Sequence, residues 1–225
     1  MEGVELENYD VDDDEPSSHW EKRVMWNDSS SARVESWSQN SDITLALMYD
    51  TGWYEVDYSQ ADILLWGKCL GCNFFEDSCL TAGDPPTTDW PEHFCVEDDA
   101  PMCSFNRVFR GKCGATTYDD DLPSFWRYFT NDSKYGGKDK YLDYCPAFRF
   151  FSSDSSCLES SGLDSTSSAY TKDIGRQDTR GEKARCFPGA FYHEDHIGNE
   201  AASEWIGSDN QRVSCHNVDC RSNKL

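Results

Sequence analysis

The chain is poor in positive charge: 20 Lys and Arg stand against 42 Asp and Glu, a formal net charge of −22. That balance excludes nucleic-acid binding, because phosphate backbones are engaged by Lys and Arg that displace counterions. An anionic membrane surface repels such a chain for the same reason. Long apolar runs are missing as well. No stretch approaches the roughly 20 residues of a membrane span, and the C-terminal "CRSNKL" offers no apolar tail for a lipid anchor. The opening "MEGVELENYD" is acidic and lacks the apolar segment of a secretory signal. No G-x-S-x-G nucleophile elbow and no H-E-x-x-H occur anywhere.

Cysteine is absent before residue 69 and abundant after it. Eleven occur, at 69, 72, 79, 95, 103, 113, 145, 157, 186, 215 and 220. Zinc modules repeat a short pair at fixed distance, and here only Cys69 and Cys72 have C-x2-C spacing. Irregular scatter reads instead as disulfides in a secreted or luminal protein. Two N-glycosylation acceptors agree with that compartment, Asn27-Asp28-Ser29 and Asn131-Asp132-Ser133. An odd count leaves at least one cysteine without a partner in this chain. Together with the missing leader, it implies sequence upstream of Met1.

The length, 225 residues, suffices for one large domain or two small ones with a core. "DVDDDEP" near the start reads as a solvated loop. "SDITLALMYDTGW" (41–53) is the clearest helix. Ser41 or Asp42 caps its N-terminus and Gly52 can close it with positive φ. Its apolar residues run nearly all round, so it is expected to be buried. "WYEVDYS" follows as a strand or extended exit, and "ADILLWG" as a short apolar element. From Cys69 onward turn residues and cysteines dominate, and clustered Trp and Phe must supply the core area. "SSDSSCLESSGLDSTSSAYTKD" (152–173) is Ser-rich, low in complexity and expected to be mobile. No internal repeat is present.

Few segments carry recognisable chemistry. Asp10, Asp12, Asp14 and Glu21 take calcium-loop positions 1, 3, 5 and 12, but Glu15 stands where the sharp turn needs Gly and flanking helices are missing. "HEDH" places His193 and His196 at i, i+3, whereas a zinc-peptidase helix needs i, i+4 to bring both imidazoles to one face. An adventitious exposed pair is the better reading. The cysteines are better spent on bridges than on a thiolate nucleophile. His19, in "SSHWEKR", is a lone imidazole, and catalytic zinc takes three protein ligands.

"EGVELE", "SSHWEKR", "TLALMYDTGWYEVDYSQAD", "WGKCLGCNF", "WPEHFC", "LPSFWRYFT", "LDYCP", "RCFPGAF" and "CHNVDC" follow one another along the chain. In that order they resemble the C-terminal half of the leishmanolysin-type zinc metallopeptidases, a metzincin family. The resemblance implies an α+β fold: the C-terminal part of a metzincin-type catalytic region (1–78), then a disulfide-rich, mostly irregular or β domain (79–225). It makes His19 the third zinc ligand. The first two ligands and the general-base glutamate belong to an H-E-x-x-H helix not found here, so these residues supply no catalytic group of their own. The family's methionine turn, about eleven residues after the third ligand, falls near Ser30, and Met25 lies too early.

By the same resemblance Cys72 pairs upstream of "EGVELE", Cys220 pairs downstream, and Cys69 is extra. Cys79, Cys95, Cys103, Cys113, Cys145, Cys157, Cys186 and Cys215 then remain for four internal bridges. A Cys69–Cys72 bridge is the alternative, strained at that spacing. The implied activity is zinc-dependent endoproteolysis of protein or peptide substrates, extracellular or at the cell surface and associated with cell adhesion. Membrane-surface association would belong to the full-length protein. By itself the chain is expected to be an incomplete, inactive piece. The alternatives are a secreted, disulfide-rich binding or adhesion module and a decayed gene product.

Overall fold

Sparse periodicity after Cys69 implies short elements tied by cross-links, and a computed structural model has that character. It describes residues 6–8, 17–33, 35, 37–150, 156–158, 181–188 and 213–218. The fold is α+β, disulfide-rich and mostly irregular. Its helices are α1 (Lys22–Met25), α2 (Asp42–Asp50) and α3 (Asn73–Glu76). Its strands are β1 (Pro101–Cys103), β2 (Arg110–Thr117), β3 (Tyr135–Gly137), β4 (Ala147–Phe150), β5 (Ala184–Pro188) and β6 (Val213–Asn217). The chain divides into two compact units, Met1–Val96 with Ala115–Pro146, and Glu97–Gly114 with Ala147–Leu225.

The first unit is built around aromatic rings. Trp66 stacks on Trp26 at 4.3 Å between centroids. It meets Phe74 edge-on at 5.4 Å and Phe94 at 5.5 Å. All four rings are buried. Such pairs add specific geometry to the area they remove from water, which lets a helix-poor segment have a core. The Cys79–Cys145 bridge closes the unit across 66 residues. β3 pairs antiparallel with the end of β2, Ala115 opposite Gly137. Gly137 lies so close to the Cys145 backbone that a Cβ there would collide with it.

In the second unit β2 runs between β1 and β4, antiparallel to both. Gly111 passes against Phe148 and the Arg149 carbonyl with no room for a side chain. β5 and β6 form a separate antiparallel pair in which Cys186 lies opposite Cys215. These two do not join each other: Cys186 bonds Cys103 and Cys215 bonds Cys157. The four sulfurs, with Ala184 and Val213, are the buried cluster of this unit. Cys95 and Cys113 are also disulfide-bonded. Cys69 and Cys72 are free thiols on the surface.

Helix α2 corrects an expectation. Ser41 caps it as expected, its Oγ accepting from Thr44 N–H at 3.3 Å, and Gly52 follows with φ +71°. The helix is not buried, however. Thr44 is its one buried residue, while Ile43, Leu47 and Tyr49 face solvent. The chain beyond it exposes Trp53 (83%) and Ile63 (62%). The helix is moored through polar Ser41 and Thr44, while Leu45, Ala46 and Met48 are half-buried. The Ser-rich segment 152–173, apart from 156–158, lies outside the described residues, as do Asp10 to Asp14, the pair His193 and His196, and Cys220.

Opening the Cys79–Cys145 loop by replacing both residues with Ala is expected to cost about 4 kcal/mol, because a long closed loop is freed in the unfolded chain. Denaturant unfolding of the first unit checks this, and an unchanged midpoint would contradict it.

Candidate functional site

"SSHWEKR" is an irregular segment, bridged at Trp20 to Leu6 and Ser31, that turns into the one-turn helix α1. Ser17 Oγ accepts from the His19 amide at 3.2 Å, and the His19 carbonyl accepts from Glu7 N–H at 2.9 Å. On the other side Trp20 N–H donates to the Ser30 carbonyl at 2.9 Å. The segment is thus clamped between residues 6–7 and the 28–31 turn, and His19 itself is exposed.

Glu21 caps α1, its carboxylate accepting from Arg23 N–H at 3.2 Å. The charged pair that follows does not reach solvent. Lys22 is fully buried, its Nζ at 2.5 Å from Glu35 Oε1 and 2.8 Å from Asp139 Oδ2. Arg23 donates from Nη2 to the Phe74 carbonyl at 2.7 Å. Its guanidinium lies over Phe74 at 4.9 Å and Phe94 at 4.6 Å, two cation–π contacts on one side of the stacked ring pair.

The turn expected to carry a methionine is present without it. Ser30 N–H and the Thr44 hydroxyl both donate to Asp28 Oδ1 at 2.8 Å. The Ser41 hydroxyl donates to Asp28 Oδ2 at 2.5 Å. Asp28 is fully buried and satisfied by these donors. Thr44 also accepts from Trp20 Nε1 at 2.8 Å. A polar relay therefore runs from the residue after His19 through Thr44 to the turn. Met25 sits in the core instead.

The electrostatics follow from burial. Burial first, then the facing Glu7 and Asp143 carboxylates, push Glu21 up to about 8. Burial pulls Arg23 down to about 10 against the pull of Asp143, Tyr128 and Glu21. Tyr128 is raised by burial and by Asp143.

The donor set decides what a metal could find here. Among the described residues no three His, Cys, Asp or Glu side chains come together in a geometry that holds an ion. His93 is packed edge-on against Trp66 at 4.8 Å. His216 shares a hydrogen bond with Ser214 Oγ at 2.8 Å. His19 offers one exposed imidazole, and catalytic zinc needs three ligands. The described residues therefore do not fit a zinc ion on their own. Sequence reasoning missed the buried set Lys22, Arg23 and Asp28. The available signal was charge enclosed between Trp20 and Trp26 in a stretch otherwise rich in aromatic residues.

The family model of leishmanolysin, a peptidase family, matches residues 1–225. The chain belongs to the leishmanolysin family. It is 35% identical over 152 residues to leishmanolysin of Leishmania chagasi, covering 67% of this chain and 23% of that protein. A leishmanolysin homolog of Crithidia fasciculata is 30% identical over 206 residues, 91% of this chain and 29% of its own. A leishmanolysin-like peptidase of Drosophila melanogaster is 27% identical over 253 aligned positions, 100% of this chain and 35% of its own. The chain thus spans about a quarter to a third of these relatives. These relatives carry the names leishmanolysin and leishmanolysin-like peptidase. No helix among the described residues is long and apolar enough to cross a membrane.

Glu21 gives the site a pH signature. Its folded pKa lies above the unfolded value, so the folded state holds the proton longer and stability falls as pH rises from about 4.5 to 8. The slope from this group reaches up to about 1.4 kcal/mol per pH unit. Glu21→Gln should flatten it, measured as unfolding midpoints across that range; an unaltered slope would contradict the assignment.

Proposed function

We propose that this chain contributes the C-terminal part of a leishmanolysin-type zinc metalloendopeptidase, with His19 presented as the third zinc ligand. The observation that carries this reading is the exposed apolar surface of α2 and the chain after it: Ile43, Leu47, Tyr49, Trp53, Tyr54 and Ile63. A surface this apolar marks an interaction site. Its occupant in this reading is the polypeptide region that carries the family's H-E-x-x-H helix, since the relatives are roughly three to four times longer than what they share with this chain. The clamped segment and the 28–31 turn support the same role, because they fix the backbone of a residue whose imidazole is exposed.

When bound, zinc would polarise a scissile carbonyl and activate water. The work of these residues is narrower. The backbone clamp orients His19, and the Asp28–Thr44–Trp20 relay stiffens it. The catalytic glutamate comes from outside these 225 residues, so the chain alone does not hydrolyse peptides. Substrates are proteins or peptides, outside the cell or at its surface, in keeping with a disulfide-bonded chain and with the adhesion role that the family resemblance implies. Residues 1–78 belong to the catalytic region, and residues 79–225 to the disulfide-rich one. The reading of a secreted, non-catalytic binding module has no separate observation in its favour.

The experiment supplies the missing part in trans. A polypeptide bearing the family's H-E-x-x-H region is refolded with this chain, and cleavage of a protein substrate is followed with and without a zinc chelator. Zinc-dependent cleavage is expected for the pair, absent for the chain alone and lowered at least about 100-fold by His19→Ala. Leu47→Asp should abolish complementation while leaving the chain folded. Cleavage by the chain alone, or full activity of the His19 variant, would overturn the proposal.

A further inference from the structure

The two N-glycosylation acceptors sit in opposite environments. Asn27 has no solvent exposure. Its Nδ2 donates to the Trp37 carbonyl and to Gln39 Oε1, both at 3.1 Å, so both amide hydrogens are used inside the fold. Its backbone carbonyl accepts from Gln39 N–H at 2.9 Å. Asn131 stands on a turn and is exposed. Its Nδ2 makes one hydrogen bond, to exposed Asp84 Oδ1 at 2.8 Å. The sequon hydroxyl, Ser133 Oγ, donates to Asp121 at the surface at 2.7 Å.

We infer that Asn131 is an N-glycan attachment site and that Asn27 must stay bare for the chain to fold. The compartment is set by the cysteines: eight are disulfide-bonded, and bridges persist where chains are translocated and glycosylated. The chemistry is a glycosyl transfer from a polyprenyl-pyrophosphate-linked oligosaccharide. An Nδ2–C1 bond forms, the sugar–phosphate bond breaks, and the lipid pyrophosphate leaves with the proton lost from nitrogen. At Asn131 the product keeps one N–H, enough for the Asp84 hydrogen bond, and the sugar projects into water. At Asn27 the same product loses one of two buried hydrogen bonds and forces a bulky polar group into a space already filled. A buried group stripped of its partner is costly, and here the sugar cannot be accommodated at all. The inference does not depend on the zinc-ligand role of His19.

The test expresses the full 225-residue chain behind a heterologous secretory leader in a eukaryotic host. Glycans are removed with an amidase that converts the attachment Asn to Asp, and both acceptor peptides are mass-mapped in secreted and retained chains. The expected result is conversion at Asn131 and none at Asn27 in the secreted material. Asn131→Gln and Ser133→Ala should remove the enzyme-sensitive mobility shift, and Ser133→Thr should retain it. Asn131 unmodified in translocated chains, whether secreted or retained, would overturn the inference. A glycan on Asn27 in folded, secreted chains would overturn it equally.

Discussion

A lysine ammonium without solvent exposure organises the first unit. Lys22 reaches Glu35 and Asp139, 13 and 117 residues away in sequence. A buried charge left unpaired is strongly destabilising, so two stretches far apart in the chain after α1 have to come to it. Once it does, its neighbours have little freedom. Arg23 packs against Phe74 and Phe94, and Trp66 donates from Nε1 to the Arg23 carbonyl at 3.0 Å. The segment before α1 is then held at the surface with His19 exposed. The position of the candidate ligand is a consequence of how its neighbours are buried.

The second unit uses covalent bonds for the same purpose. Its strands are three to five residues long apart from β2, too short to exclude much water between them. Cys103–Cys186 and Cys157–Cys215 draw β1, β5 and β6 around a small sulfur-rich core. Strand pairing places Cys186 and Cys215 side by side, yet each bonds elsewhere, so the two bridges fasten the hairpin to two separate points of the chain. Small domains with little core rely on such links.

Much of this was legible in the sequence, and the failures have physical causes. The scattered cysteines announced bridges, though spacing alone could not pair them. Ser41 and Gly52 marked both ends of α2 because capping and positive φ are local requirements. Burial of that helix was misjudged, since an apolar sequence pattern shows that side chains favour cover but not that these residues supply it. Lys22 and Arg23 defeat composition rules outright. Their burial depends on partners up to 117 residues distant, which no local pattern reveals. The motif "SSHWEKR" singled out His19, while the reason for its rigidity, the carboxylate of Asp28 gathering Ser30, Ser41 and Thr44, needed the folded chain. Asn27 shows the converse: a local acceptor motif that the fold has taken for its own hydrogen bonds.

The central claim is that these residues hold one zinc ligand in place and no more. Calorimetric titration of the folded chain with zinc, repeated on His19→Ala, tests it most directly. The account predicts that the two titrations superimpose, because a single exposed imidazole does not make a site. A one-to-one binding event present in the chain and absent from the variant would contradict it.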